Sequence, residues 1–235
     1  KVNLVGTGTL TISLPCKWIK QNSVRKGDEL EVVEKEDNLI ISKKNINKLK
    51  RITIDAKGLS SALIIRKIFV AYTLGFEEIE VLVDDSEIKN TSSKYPSPNE
   101  EFPKKLTAHE VITFINLSGV EIIEQEKDRY LLGVLVSSDK VEFYKAFRRL
   151  FALIQTYGEE LLEYIKSGFK GSENSLYAKE IIINKFYRLC LRTINTSICG
   201  LEKTCLYSIV NNLEEIGDIY WYIVKNGKPK KLNTE

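Results

Sequence analysis

The chain has 235 residues, 43% hydrophobic and 29% charged, the balance of a soluble globular protein able to bury a core in roughly one to three domains. Its net charge of +3 is too small to indicate a nucleic-acid partner by itself. No apolar run approaches the ~20 residues of a membrane span, and the start, Lys1 to Gly6, lacks a signal-peptide core, so no direct membrane insertion is expected and the cytoplasm is the expected compartment.

With no Met in the chain, the initiating residue is expected to be removed or to lie outside it. Cys16, Cys190, Cys199 and Cys205 form no Cys-x-x-Cys pair, and His109, the single histidine, lies in another part of the chain. No zinc spacing and no nucleophile–base motif results, so the reading is not that of an enzyme.

Residues 1–46 read as a small β domain. Val2 to Val5 alternates, Gly6-Thr-Gly8 turns, and Thr9 to Leu14 is a β-branched strand. Pro15 opens a short helix over Lys17 to Asn22. A turn at Arg25 to Asp28 leads into strands over Glu29 to Glu34 and Leu39 to Ser42. Such a module is too small to close its own core and needs a staple or a partner.

Residues 50–137 read as an α+β domain in the order β-α-β-α-β-β. Its strands are Arg51 to Asp55, Ile79 to Val83, Val120 to Gln125 and Tyr130 to Val136. A helix runs from Leu59 to Leu74 and is capped by Gly75. A second runs from Thr107 to Asn116, with Thr107 and Glu110 as a capping box. Residues 86–105 hold three of the five prolines and read as a Pro-rich insertion.

Residues 139–226 read as an all-α three-helix bundle, with a tail at 227–235. The first helix places Tyr144, Phe147, Phe151, Ile154, Gly158, Leu161 and Ile165 on one seam. Lys166 to Ser172 breaks it. The second carries Leu176, Glu180, Ile183, Tyr187, Cys190, Ile194 and Ser197 on one stripe, and Gly200 ends it. The third carries Leu206, Val210, Leu213, Gly217, Tyr220 and Val224. Cys190 reads as a small buried hydrophobe.

A carboxylate on an apolar stripe is costly unless paired or metal-bound, which singles out Glu180. Asn184 stands one turn on, and Glu214 and Asp218 share a face of the third helix. The bland alternative is a solvated edge, since charged pairs at this spacing are common.

Two resemblances bear on these residues. Ser13-Leu-Pro15, Trp18-Ile19, Lys26-Gly-Asp-Glu-Leu-Glu-Val32 and Asn38-Leu-Ile-Ile-Ser42 resemble the SpoVT/AbrB-like swapped-hairpin family over about a fifth of the chain. The resemblance implies a homodimer through interleaved N-terminal hairpins. It also implies DNA contact by basic residues, here Lys17, Lys20, Arg25 and Lys26. Asp28, Glu29, Glu31 and Glu34 follow at once and argue against a clean basic face, so DNA binding is expected to be weak.

Asn211-Asn-Leu-Glu-Glu-Ile-Gly-Asp218, followed by Ile219-Tyr-Trp-Tyr-Ile223, resembles the signature of PhoU, the phosphate-uptake regulators. The full domain order resembles their archaeal group. The resemblance implies a regulator that docks on a phosphate transporter ATPase or a sensor kinase. It also implies a metal ion held by Glu180, Asn184, Glu214 and Asp218. Oxygen-only ligands suit a hard cation such as iron, Mg, Mn or Ca. Asn184 replaces the family's second Asp, and Glu215 stands where the family has Arg. PhoU proteins carry two three-helix repeats, so a second is absent here or supplied by another chain. The alternative reading is an AbrB-type DNA-binding transcriptional regulator with the bundle as sensor.

Overall fold

The computed structural model describes residues 2–35, 38–43, 50–84, 88–89, 105–135 and 140–227. The chain separates into two compact units, Lys1–Lys48 and Leu49–Glu235.

The first unit is two separate hairpins joined by one helical turn. β1 (Val2–Val5) pairs antiparallel with β2 (Thr9–Ile12), placing Leu4 opposite Leu10. α1 (Cys16–Gln21) follows Pro15, which serves as its N-cap. Gly27 takes a positive φ of 96° in the next turn, where the Arg25 N–H donates to Asp28 Oδ2. β3 (Leu30–Lys35) then pairs with β4 (Asn38–Lys43). Among the described residues of this unit no side chain is buried. Leu4 and Leu10 are 67% and 68% exposed. Side chains of strand pattern with nothing to cover them are what a module without its own core presents.

The second unit begins with a mixed four-stranded sheet in the order β5-β6-β10-β9. β5 (Arg51–Asp55) leads through α2 (Ser61–Thr73) to its parallel neighbour β6 (Glu78–Leu82). α2 ends in a Schellman motif. Gly75, at φ 90°, donates to Tyr72 O, and the Phe76 N–H donates to Ala71 O. Ile64, Ile68 and Tyr72 of α2 pack with Ile54, Ile79, Val81 and Leu132 in one core.

β7 (Ile88–Lys89) pairs antiparallel with β8 (Lys105–Leu106). Most of the expected Pro-rich insertion, 86–105, lies outside the described residues. At its margins a two-residue ladder replaces the expected loop, because Ile88 and Leu106 are buried against the sheet's core. α3 (Ala108–Thr113) is shorter than the helix expected over Thr107 to Asn116. Thr107 is its N-cap and completes the capping box with Glu110. β9 (Val120–Gln125) and β10 (Arg129–Val134) close the sheet.

Three long helices follow: α4 (Lys140–Lys166), α5 (Glu173–Ser197) and α6 (Gly200–Asn226). The seam of α4 keeps Ile154 and Leu161 of the expected one, both buried, but is turned away from three of its other large residues. Phe143, Leu150, Tyr157 and Tyr164 recur every seven residues and are buried. Tyr144, Phe151 and Ile165 are 48%, 46% and 38% exposed. Two overlapping stripes of large apolar residues run along this helix, and packing selects the one containing Tyr157. The stripe of α5 matches expectation, with Leu176, Glu180, Ile183, Cys190 and Ile194 buried. α5 stops at Ser197, before Gly200, which opens α6 instead. No described helix is long and apolar enough to cross a membrane.

The sheet and the bundle meet through α2 and α5. Buried Arg192 donates 2.8 Å hydrogen bonds to the main-chain oxygens of Tyr72 and Phe76, and Asn195 donates to Thr73 O. A guanidinium there adds a donor to carbonyls at and just beyond the end of α2 and answers the negative end of its dipole. Arg188 lies over the Phe69 ring at 3.8 Å.

Candidate functional site in the helical bundle

Polar groups gather where α4, α5 and α6 face one another. Glu180 and Asn184 point inward from α5 at 3% and 5% exposure. Asn184 Nδ2 donates to Glu180 Oε1 at 2.6 Å and to Glu180 O at 3.0 Å. Opposite them α6 presents Gly217. A Cβ there would lie 3.3 Å from Ile183, 3.4 Å from Ile154 and 3.6 Å from Glu180 Oε2. The missing side chain is what lets all three helices close around the carboxylate.

Tyr157 of α4 is fully buried in the same region. Burial raises its phenol well above the ordinary value, and the charges of Glu180 and Asp218 push it the same way. Its Oη and Asn184 Oδ1 have no hydrogen-bond partner among the described residues. On the flank, Tyr187 donates to Asn211 Oδ1 at 2.8 Å. Burial, followed by Glu214, pushes Tyr187 up to about 12.

Glu180 and Asn184 thus form one pair on α5, and half-buried Glu214 and Asp218 a second on α6. The amide nitrogen of Asn184, not its oxygen, meets Glu180. A hard cation collects about six oxygens around one centre. Among the described residues, no group of three or more His, Cys, Asp or Glu side chains gathers for a metal ion.

Sequence reasoning did not single out Tyr157. Its signal was the seven-residue recurrence of Phe143, Leu150, Tyr157 and Tyr164. Arg192 was also missed, since its partners lie about 120 residues away. His109 is exposed on α3.

In the first unit Lys17 and Lys20 lie on α1, and Arg25 and Lys26 lie in the following turn. All four are exposed. Asp28, held to the Arg25 main chain, sits beside them.

Residues 4–49 match the family described as antidote-toxin recognition MazE, bacterial antitoxin. The match covers the stretch that resembles the SpoVT/AbrB-like family and stops before β5. No curated protein and no solved structure matches the chain.

Proposed function

We propose that the chain is a non-enzymatic, cytoplasmic regulator of inorganic phosphate uptake of the PhoU type. It docks through its helical bundle on a phosphate transporter ATPase or a sensor kinase, while the N-terminal unit joins two copies. The observation that carries this reading is Gly217, in the Ile216-Gly217-Asp218 stretch that resembles the PhoU signature. Its bare backbone faces Ile154, Ile183 and Glu180 from two other helices. The stretch that resembles the signature therefore lies beside the buried Glu180, where three helices approach one another closely. The uncovered strands of the N-terminal unit and the match over residues 4–49 support a homodimer formed there.

A hard cation, iron, Mg, Mn or Ca, belongs to the same proposal. Glu180, Glu214 and Asp218 would hold it, with Asn184. What supports it is that Asn184 Oδ1 and Tyr157 Oη, two buried oxygens, have no hydrogen-bond partner among the described residues.

A second reading is a DNA-binding or toxin-binding regulator working through the N-terminal unit. The match to a MazE family and the exposed Lys17, Lys20, Arg25 and Lys26 favour it.

Affinity purification of the full chain from its native lysate tests the two readings against each other. The first predicts recovery of a transporter ATPase or a sensor kinase. Recovery of a toxin alone, or nanomolar binding to one operator at physiological salt, would replace it with the second.

A further inference from the structure

One edge strand of the four-stranded sheet is β5, and its sequence is self-complementary. Ala56 N–H donates to Leu82 O, and Lys50 O accepts from Glu78 N–H. Main-chain groups of residues 50, 52, 54 and 56 therefore face β6. By alternation those of Arg51, Thr53 and Asp55 face the open edge. Among the described residues no hydrogen bond closes that edge.

Beside it lies a groove of about 450 Å³ between β5 and α2, lined by Ile52, Ile54, Leu63, Val70 and Leu74 among others. Leu63, Val70 and Leu74 are all about half exposed. An edge strand that is β-branched and flanked by apolar surface is a template for strand addition unless it is covered.

We infer that a second copy of this chain covers it, pairing β5 with the partner's β5, antiparallel and centred on Thr53. This occupant follows from the charge order of Arg51-Ile-Thr-Ile-Asp55. In that register Arg51 stands opposite the partner's Asp55 at both ends. Ile52 stands opposite the partner's Ile54 on the groove side, and Thr53 opposite the partner's Thr53 on the axis. The residues whose main chains face outward are the ones that become hydrogen-bonded pairs, two bonds to each pair.

Arg51 already reaches Glu80 at 2.8 Å and Glu78 at 3.5 Å on β6, so the partner's Asp55 would extend an existing ion-pair row. Arg66 and Lys67 also line the groove. Their stems would lie in the joint and their charges at its rim. The two sheets become one of eight strands. The contact is isologous, as a two-fold requires, and is separate from the hairpin dimer proposed above.

Cysteine cross-linking of the full chain tests this, with Cys16, Cys199 and Cys205 changed to Ser. Thr53→Cys brings two thiols onto the axis at a Cα separation of about 5.5 Å, within disulfide reach. Mild oxidation should link most chains carrying Thr53→Cys. Glu121→Cys on β9, at the far edge of the sheet, should give only a trace. Asp55→Cys should not link to itself, but should link to chains carrying Arg51→Cys. No linkage at Thr53→Cys beyond that at Glu121→Cys would overturn the inference, as expected if another protein covers the edge. Self-linkage of Asp55→Cys matching that of Thr53→Cys would overturn it too, since the register would then be wrong.

Discussion

Asn184 Nδ2 lies 2.6 Å from Glu180 Oε1, one helical turn away, so two buried polar side chains answer each other within α5. A buried carboxylate that loses a donor bears more of its desolvation cost. Asn184→Leu should therefore destabilise the fold by about 2 kcal/mol, the range for a hydrogen bond to a charged group. Glu180→Gln removes the buried charge while keeping a partner for Asn184, and should leave stability unchanged or raised. Urea unfolding measures both. A larger loss for Glu180→Gln than for Asn184→Leu would show that the charge itself holds the bundle together.

The α6 carboxylates divide the metal proposal from an empty polar core. If a cation is held, Glu214→Gln with Asp218→Asn should abolish any rise in melting temperature given by Mg, Ca, Mn or ferric ions. If the carboxylates only repel each other, the same double change should stabilise the bundle with or without metal. A thermal-shift series on both proteins reads the difference. A stabilised variant together with an unresponsive wild type decides for the empty core.

Arg192 holds the sheet to the bundle through main-chain oxygens of Tyr72 and Phe76. Arg192→Met fills the space but removes both donors, and should cost about 3 kcal/mol. Arg192→Lys should recover only part of this, since an ammonium lacks the planar fork. Hydrogen exchange should show the loss first at the last turn of α2. Uniform loss across the chain would contradict the role given to this joint.

Alkaline pH should weaken the fold within a defined window. Burial pushes the Cys190 thiol and the Tyr72 phenol up to about 12, and Tyr187 likewise. In an unfolded chain such groups titrate at about 8.5 to 10. Raised folded values mean that their contribution is fully present below the unfolded pKa and is lost as pH climbs toward 12. The urea midpoint should be flat to about pH 8.5 and fall steadily above it. Iodoacetamide at pH 8 should label Cys16, Cys199 and Cys205, which are exposed, and reach Cys190 only on unfolding. Rapid native labelling of Cys190 would contradict its burial.

The hairpin dimer rests on apolar side chains that one copy leaves open. Leu4 and Leu10 stand directly opposite each other and are about two-thirds exposed. Leu4→Lys with Leu10→Lys should dissociate the contact made by the N-terminal unit, seen as a lower mass by light scattering, without lowering the helix signal. An unchanged mass would show that these hairpins do not join two copies.

Local patterns were legible in the sequence wherever one signal acted alone. Alternation placed β5 and β9 at their observed limits, Gly75 marked the end of α2, and the Thr107–Glu110 box marked the start of α3. Glu180 stood out because a charge on an apolar stripe has few explanations. The α4 seam was only partly placed: Ile154 and Leu161 are buried as expected, but Tyr144 and Phe151 belong to a second stripe as apolar as the true one, and periodicity cannot rank two such stripes. Gly200 could end one helix or open the next, and the structure places it, at φ 67°, as the first residue of α6. The Arg192 joint and the Ile88–Leu106 ladder join residues far apart in sequence and leave no local signature.

The most direct test of the central claim is the uptake of radiolabelled phosphate by cells lacking this protein. In phosphate-rich medium, uptake in those cells should no longer be held down. Wild-type protein should restore control, and a Gly217→Leu variant, whose side chain would strike Ile154, Ile183 and Glu180, should not. Uptake identical with and without the protein, in both phosphate-rich and phosphate-poor medium, would contradict it.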